Sequence, residues 1–166
     1  MNIANFRVDD RLVHGLVATN WVPSLNIERV LVIDEESAQS PMLKSALRMA
    51  TPKEVFLSVI PVETASSNLL ANKYGDEKIM VVVKSPETII ELCNAGIPVD
   101  KLVLGNLGNI SKSKSTIAIT KFISVNEQEE KLIDTLHEKG VKVISQLVPK
   151  DDEVDFIPLM KKKTNR

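Results

Sequence analysis

The stretch Phe6-Arg7-Val8-Asp9-Asp10-Arg11-Leu12-Val13-His14-Gly15 joins a strand to a helix and gathers charge at the junction. Ile3 to Val8 reads as a short buried strand, and Asp9-Asp10-Arg11 ends it. A helix is expected to open at Gly15, with Trp21 anchoring it four residues beyond Val17 and five beyond Leu16. Two arginines precede the imidazole of His14 and a glycine follows it.

Working outward, the same unit recurs. Val30 to Ile33, Val55 to Ile60, Ile79 to Val83, Leu102 to Leu104 and Val141 to Ser145 are short runs rich in Val and Ile, and a weaker strand is expected within Ile117 to Val125. Helix signals fall between them. Ser40-Pro41 and Ser85-Pro86 each offer an N-cap followed by a first-turn proline, and Gly96 can close the second helix. Asn126 with Glu129 resembles a capping box for a helix running to about Lys139, closed by Gly140. Strands that are apolar throughout need cover on both faces, which right-handed helical crossovers supply. The expected fold is therefore α/β: one domain, 1–166, with an open, mostly parallel twisted sheet and helices on both faces. Ligands of such sheets sit outside the carboxyl ends of the strands.

Composition narrows the partner. The chain has 166 residues, 43% hydrophobic and 26% charged, with 21 basic against 22 acidic side chains, so disorder and a basic nucleic-acid footprint are both disfavoured. A single cysteine, Cys93, excludes an internal disulfide, and neither a leader nor a long apolar span is present, which suits a soluble cytoplasmic protein. Lys161-Lys162-Lys163 is expected to be a solvated tail and Ser111 to Ser115 a polar loop. At 4% aromatic residues, stacking platforms for bases or sugars are not evident.

Polar groups converge where the strands end. His14 stands out because a neutral imidazole carries a lone pair able to attack phosphorus. Phosphoryl transfer demands positioning and positive charge more than a strong base. Arg11 can supply a planar guanidinium for two phosphate oxygens, and free amides of residues 15 to 17 would add donors at a helix start. Gly15 lets the backbone come close. Either Asp9 or Asp10 can fix the ring tautomer or orient an arginine. The candidate phosphate-binding set is Arg11, Asp10, Gly15 and Ser85, around His14 and Arg11 as catalytic residues.

Other residues have plainer readings. Asp34 and Glu35 cap a helix, His137 sits in a last helical turn, Cys93 lies on an apolar face, and Gly105 and Gly108 shape a tight turn, with an anion-binding turn as the alternative. No nucleoside-triphosphate loop, dinucleotide glycine motif or metal-ligand cluster is present, so no cofactor or metal is expected and the phosphate donor is expected to be another protein.

The run Arg7 to Gly15, with Val17-Ala18-Thr19 and Trp21, resembles the signature of the phosphotransferase-system (PTS) IIB components of the mannose, fructose and sorbose family. The resemblance continues through Asp34-Glu35, Lys44-Ser45, Met49-Ala50, Val83 to Glu87, Ala95 to Pro98, Gly105-Asn106, Ser124-Val125 and Gln146 to Pro149. It implies a sheet of about seven strands and a transferase that takes a phosphoryl group from a phosphohistidine of a IIA protein. The group is then passed to a sugar entering through the membrane IIC and IID components, the chain's only membrane contact. His14 matches the phosphorylated histidine, modified at Nδ1, and Arg11 the assisting arginine. Leu16 stands where the family commonly has glutamine; Gly105-Asn106 resembles the N-acetylgalactosamine branch. The alternative is a receiver-like phospho-regulatory signalling module using Asp9-Asp10, but Pro61-Val62-Glu63 follows the third strand where the phosphoacceptor aspartate is expected.

Overall fold

The computed structural model describes residues 1–108 and 115–165. Its elements run β1 (Asn2–Asp9), a π-helical turn (Val17–Trp21) leading into α1 (Val22–Ser24), β2 (Arg29–Ile33), α2 (Glu35–Ala38), α3 (Pro41–Ala50), β3 (Phe56–Ile60) and α4 (Val62–Leu70). There follow β4 (Lys78–Val83), α5 (Pro86–Asn94), β5 (Lys101–Asn106), β6 (Ile117–Ala118), β7 (Ser124–Val125), α6 (Glu127–Glu138), β8 (Lys142–Ser145), β9 (Val154–Asp155) and α7 (Phe156–Thr164). Seven strands form one sheet in the order β3-β2-β4-β1-β5-β8-β9. Only β9 runs antiparallel in it, against β8.

The central strands are buried on both faces, as their unbroken apolar runs require. Phe6, Val8, Leu31, Ile33, Val81 and Leu104 face one core, shared with α4 to α7. Val30, Val32, Met80, Val82 and Val103 face the other, covered by Val17, Trp21, Val22 and Leu47. Alternation along β1 therefore points Arg7 and Asp9 to the Trp21 side, and Val8 away from it.

The helix signals act as expected. Ser40 accepts the amide of Leu43, Ser85 that of Glu87, and Asn126 and Glu129 form a reciprocal capping box. Gly96 and Gly140 take the left-handed conformation beyond α5 and α6 at φ of 95° and 87°. Three expectations are corrected. The segment 117–125 splits into β6 and β7, an antiparallel pair outside the main sheet. Lys161, Lys162 and Lys163 belong to α7 rather than to a tail, because Phe156, Met160 and Thr164 bury one face of that helix, and Lys161 pairs with Asp134 at 2.6 Å. The strand after α5 extends through Gly105-Asn106 instead of looping out at Gly105, with Asn106 paired to Asp9 and Gly105 skipped in the register. Ser111 to Lys114 of the expected polar loop lie outside the described residues. No helix among the described residues is long and apolar enough to cross a membrane.

Candidate functional site: an aspartate-held histidine

The loop leaving β1 folds back over its own strand. Leu12 donates its amide to the Asp9 carbonyl at 2.9 Å, and Leu12 itself adopts a left-handed conformation at φ 57°. That conformation is costly for a residue with a Cβ, by about 1–2 kcal/mol. The Leu12 side chain is buried beside Val13 and Trp21, and that packing holds the turn. The reversal returns His14 to Asp9: Nε2 lies 2.9 Å from Asp9 Oδ2.

Asp9 organises the site. Its side chain is fully buried, its Oδ1 accepts the Arg11 amide at 3.1 Å, and Arg11 Nε stands 3.6 Å from the same oxygen. A carboxylate only accepts, so the imidazole donates from Nε2 and Nδ1 carries the lone pair. The choice between the two aspartates is thus settled in favour of Asp9. Nδ1 makes no hydrogen bond among the described residues and is not a buried atom; the ring as a whole is 19% exposed. Arg11, 44% exposed, is tethered at Nε while its terminal nitrogens remain available.

Helical bonding begins with the Ala18 amide donating to the His14 carbonyl at 3.0 Å. The amides of residues 15 to 17 therefore precede the first helical bond and have no intrahelical acceptor. Gly15 is exposed, and a Cβ there would meet nothing within 4 Å. The next turn is π-helical, a widening that often accompanies functional sites. Trp21, at its end, donates from its indole to the Leu147 carbonyl at 2.8 Å.

Beneath Asp9 lies Arg7, which the sequence reading left without a role. It is fully buried, donates to the carbonyls of Gln146 and Leu147 at 3.1 and 3.3 Å, and lies 4.9 Å from the Trp21 ring. Burial pulls its guanidinium down to about 10, against the opposing pull of Asp9, so it remains a cation at neutral pH. Gly105 makes the space: between Val8 and Asp9 the β5 register skips one residue, and a Cβ on Gly105 would fall 2.0 Å from Arg7 Nη2. That replaces the expected tight turn at Gly105. Gly108 does need its freedom, at φ 76° and against the Ser124 carbonyl.

The remaining candidates lie around this centre. Asp10 points to the other side of the strand, bonds Asn106, and lines a cleft of about 370 Å³ with Glu36, Lys84, Leu107, Gly108, Thr116, Asn126 and Glu129. Burial raises the Glu129 carboxyl, and nearby Asp10 adds to this against the lowering bond from Asn126. Ser85 caps α5 two residues beyond Val83, the β1 neighbour of Val8. Asp34 caps α2, as expected, and also meets Lys84 at 3.2 Å. Leu16 packs against the Trp21 side, so that position offers apolar contact. Cys93 packs on the first core, and burial pushes its thiol up.

The polar edge of an open parallel α/β domain thus converges on one histidine. Comparison with known proteins makes the class specific. The family model described as "PTS system sorbose subfamily IIB component" matches residues 3–166, and the chain belongs to that family of sugar phosphotransferase components. It is 30% identical over 164 residues to the fructose-specific EIIB component of Bacillus subtilis, covering 99% of each chain. With the N-acetylgalactosamine-specific IIB component 2 of Escherichia coli it shares 28% over 160 residues, covering 96% of this chain and 99% of the relative. A solved structure titled "phosphoenolpyruvate-dependent phosphotransferase system" superposes with a TM-score of 0.89 at 30% identity, covering 98% and 99% of the two chains.

The receiver-like alternative finds no support in the topology. In receiver-type sheets, ordered 2-1-3-4-5, the third strand lies beside the first. Here β3 is the outer strand and β4 takes that place.

Proposed function

We propose that this chain takes a phosphoryl group onto Nδ1 of His14 from a phosphohistidine of a IIA protein and passes it to a sugar entering through membrane IIC and IID components. The observation that carries this reading is the 2.9 Å contact between His14 Nε2 and Asp9, which leaves Nδ1 as the nucleophilic nitrogen. In the first transfer the Nδ1–P bond forms as the donor N–P bond breaks, and the proton stays on Nε2 facing Asp9. Arg11 and the amides of residues 15 to 17 balance the charge on the equatorial oxygens. In the second transfer a sugar hydroxyl, O6 by family resemblance, attacks phospho-His14, with its proton taken by a base of the membrane component. Gly15 borders the approach by presenting open space at the helix start, whereas Asp10 turns to Asn106 and Ser85 caps α5.

Two macromolecules must reach Nδ1 in turn, so each interface is transient and small. The phosphate adds roughly two negative charges, which shifts preference from donor to acceptor. The test is incubation with phosphorylated IIA and labelled phosphate. The wild-type chain takes up an alkali-stable label and His14→Ala takes up none; labelling that persists in His14→Ala sinks the assignment.

A further inference from the structure

Among the described residues the buried side-chain polar atoms without a hydrogen-bond partner are Asn5 Oδ1 and Arg7 Nε. The second lies inside the site. Arg7 is held rigidly, by two carbonyls of the 146–147 segment, by the face of Trp21, and by the space above Gly105. Its Nε is therefore fixed 3.5 Å from Asp9 Oδ2, the oxygen that already accepts His14 Nε2 at 2.9 Å. One carboxylate oxygen thus faces two donors, Arg7, a cation at neutral pH, and His14, cationic only when protonated at both nitrogens.

We propose that Arg7 is a positioning residue that limits the hold of Asp9 on the histidine, so that the ring meets Asp9 as a single hydrogen-bond donor and keeps a free Nδ1 lone pair. The argument is one of competing countercharges. A buried carboxylate stabilises whichever cation stands next to it. With Arg7 in place that requirement is met from below, and a neutral, hydrogen-bonded imidazole suffices above. Without it, the half-exposed Arg11 is the remaining fixed cation, and Asp9 draws a second proton onto His14. Protonated at both nitrogens, the ring has no lone pair for phosphorus. The other groups around the pair do not substitute for Arg7. Asp10 turns to Asn106, Lys84 is engaged by Asp34 and Glu36, and the 146–147 segment beyond β8 and the helical segment contribute carbonyls and an indole.

The inference rests on the reading of His14 as phosphoryl acceptor, yet its test needs no donor. The ring of His14 is titrated by NMR in the wild type, Arg7→Met, Arg7→Lys and Gly105→Ala, with the amide spectrum reporting the fold. Arg7→Met raises the His14 midpoint by roughly one pH unit, and the rate of phosphoryl uptake from IIA shifts to higher pH by the same amount, recovering above it. Arg7→Lys, which keeps the charge, stays near the wild type. Gly105→Ala displaces the guanidinium without changing charge and gives a smaller rise, which keeps the proposal testable should Arg7→Met not fold. An unchanged or lowered midpoint in folded Arg7→Met, or in Gly105→Ala, overturns it. Failure of His14 to take phosphate leaves the titration result standing and refutes only the function.

Discussion

Asp9 and Asp34 both stand at the carboxyl end of a central parallel strand, yet their carboxylates are put to different ends. Asp34 serves the helix that follows it: Oδ2 accepts the amide and hydroxyl of Ser37 at 3.0 and 2.5 Å, with Lys84 alongside. Asp9 caps nothing. Its two oxygens meet Arg7 from the strand beneath, Arg11 from the loop and His14 from beyond the turn. What separates them is the backbone between strand and helix. After β2 the helix begins at once, so the nearest donors are its own amides; after β1 the left-handed Leu12 interposes a reversal, and side chains reach the carboxylate instead. An acidic residue at a strand end is thus a cap or a centre of chemistry according to the loop that follows.

The comparison is broken most sharply by removing each carboxylate. Asp9→Ala leaves the buried Arg7 charge without its partner and is expected to lower stability by about 3–5 kcal/mol, measured by urea denaturation, with phosphoryl uptake lost. Asp34→Ala removes a cap and is expected to lose only about 1 kcal/mol with uptake retained. Equal losses would show that the two loops are not different in kind. The next effect concerns the reversal. Leu12→Gly relieves the left-handed strain but vacates a buried site, and a net loss of about 1–3 kcal/mol is expected together with a slower uptake; a variant more stable than wild type would show that packing does not hold the turn.

The smallest effect lies at the β2 loop. The Lys84 ammonium is raised above its ordinary value: burial acts against it, but Asp34 and Glu36 together outweigh that. Its contribution is present below the ordinary lysine midpoint of 10.5 and is lost as pH rises through the higher folded one. Lys84→Met should therefore flatten the alkaline end of the stability profile by about half a kcal/mol or less, this being a partly exposed pair. A pH-independent difference would assign the effect to packing.

Much of this was readable in the chain. The strand runs and the Ser-Pro and Asn-x-x-Glu caps marked elements by local bonds that the neighbouring residues alone satisfy. Two helices were missed: α4 follows Pro61, which has no side-chain acceptor to offer, and α7, although capped by Asp155, was hidden by a lysine run on its exposed side. In the site, His14, Arg11 and the open helix start could be read from residue type. Arg7 could have been found, since a charged residue two before Asp9 on a buried strand must share its face and need a countercharge.

By itself, then, the sequence determined a parallel α/β sheet and a histidine with basic company at its carboxyl edge, because periodicity, caps and chemical type are properties of short segments. Only the tertiary structure decided which aspartate holds His14, which ring nitrogen is left free, and why Gly105 carries no side chain. Those depend on Leu12 turning left-handed, on the register of β5 against β1, and on a segment more than a hundred residues away whose carbonyls receive Arg7. Distances across a fold are set by the packing of all its elements, and no local stretch contains them.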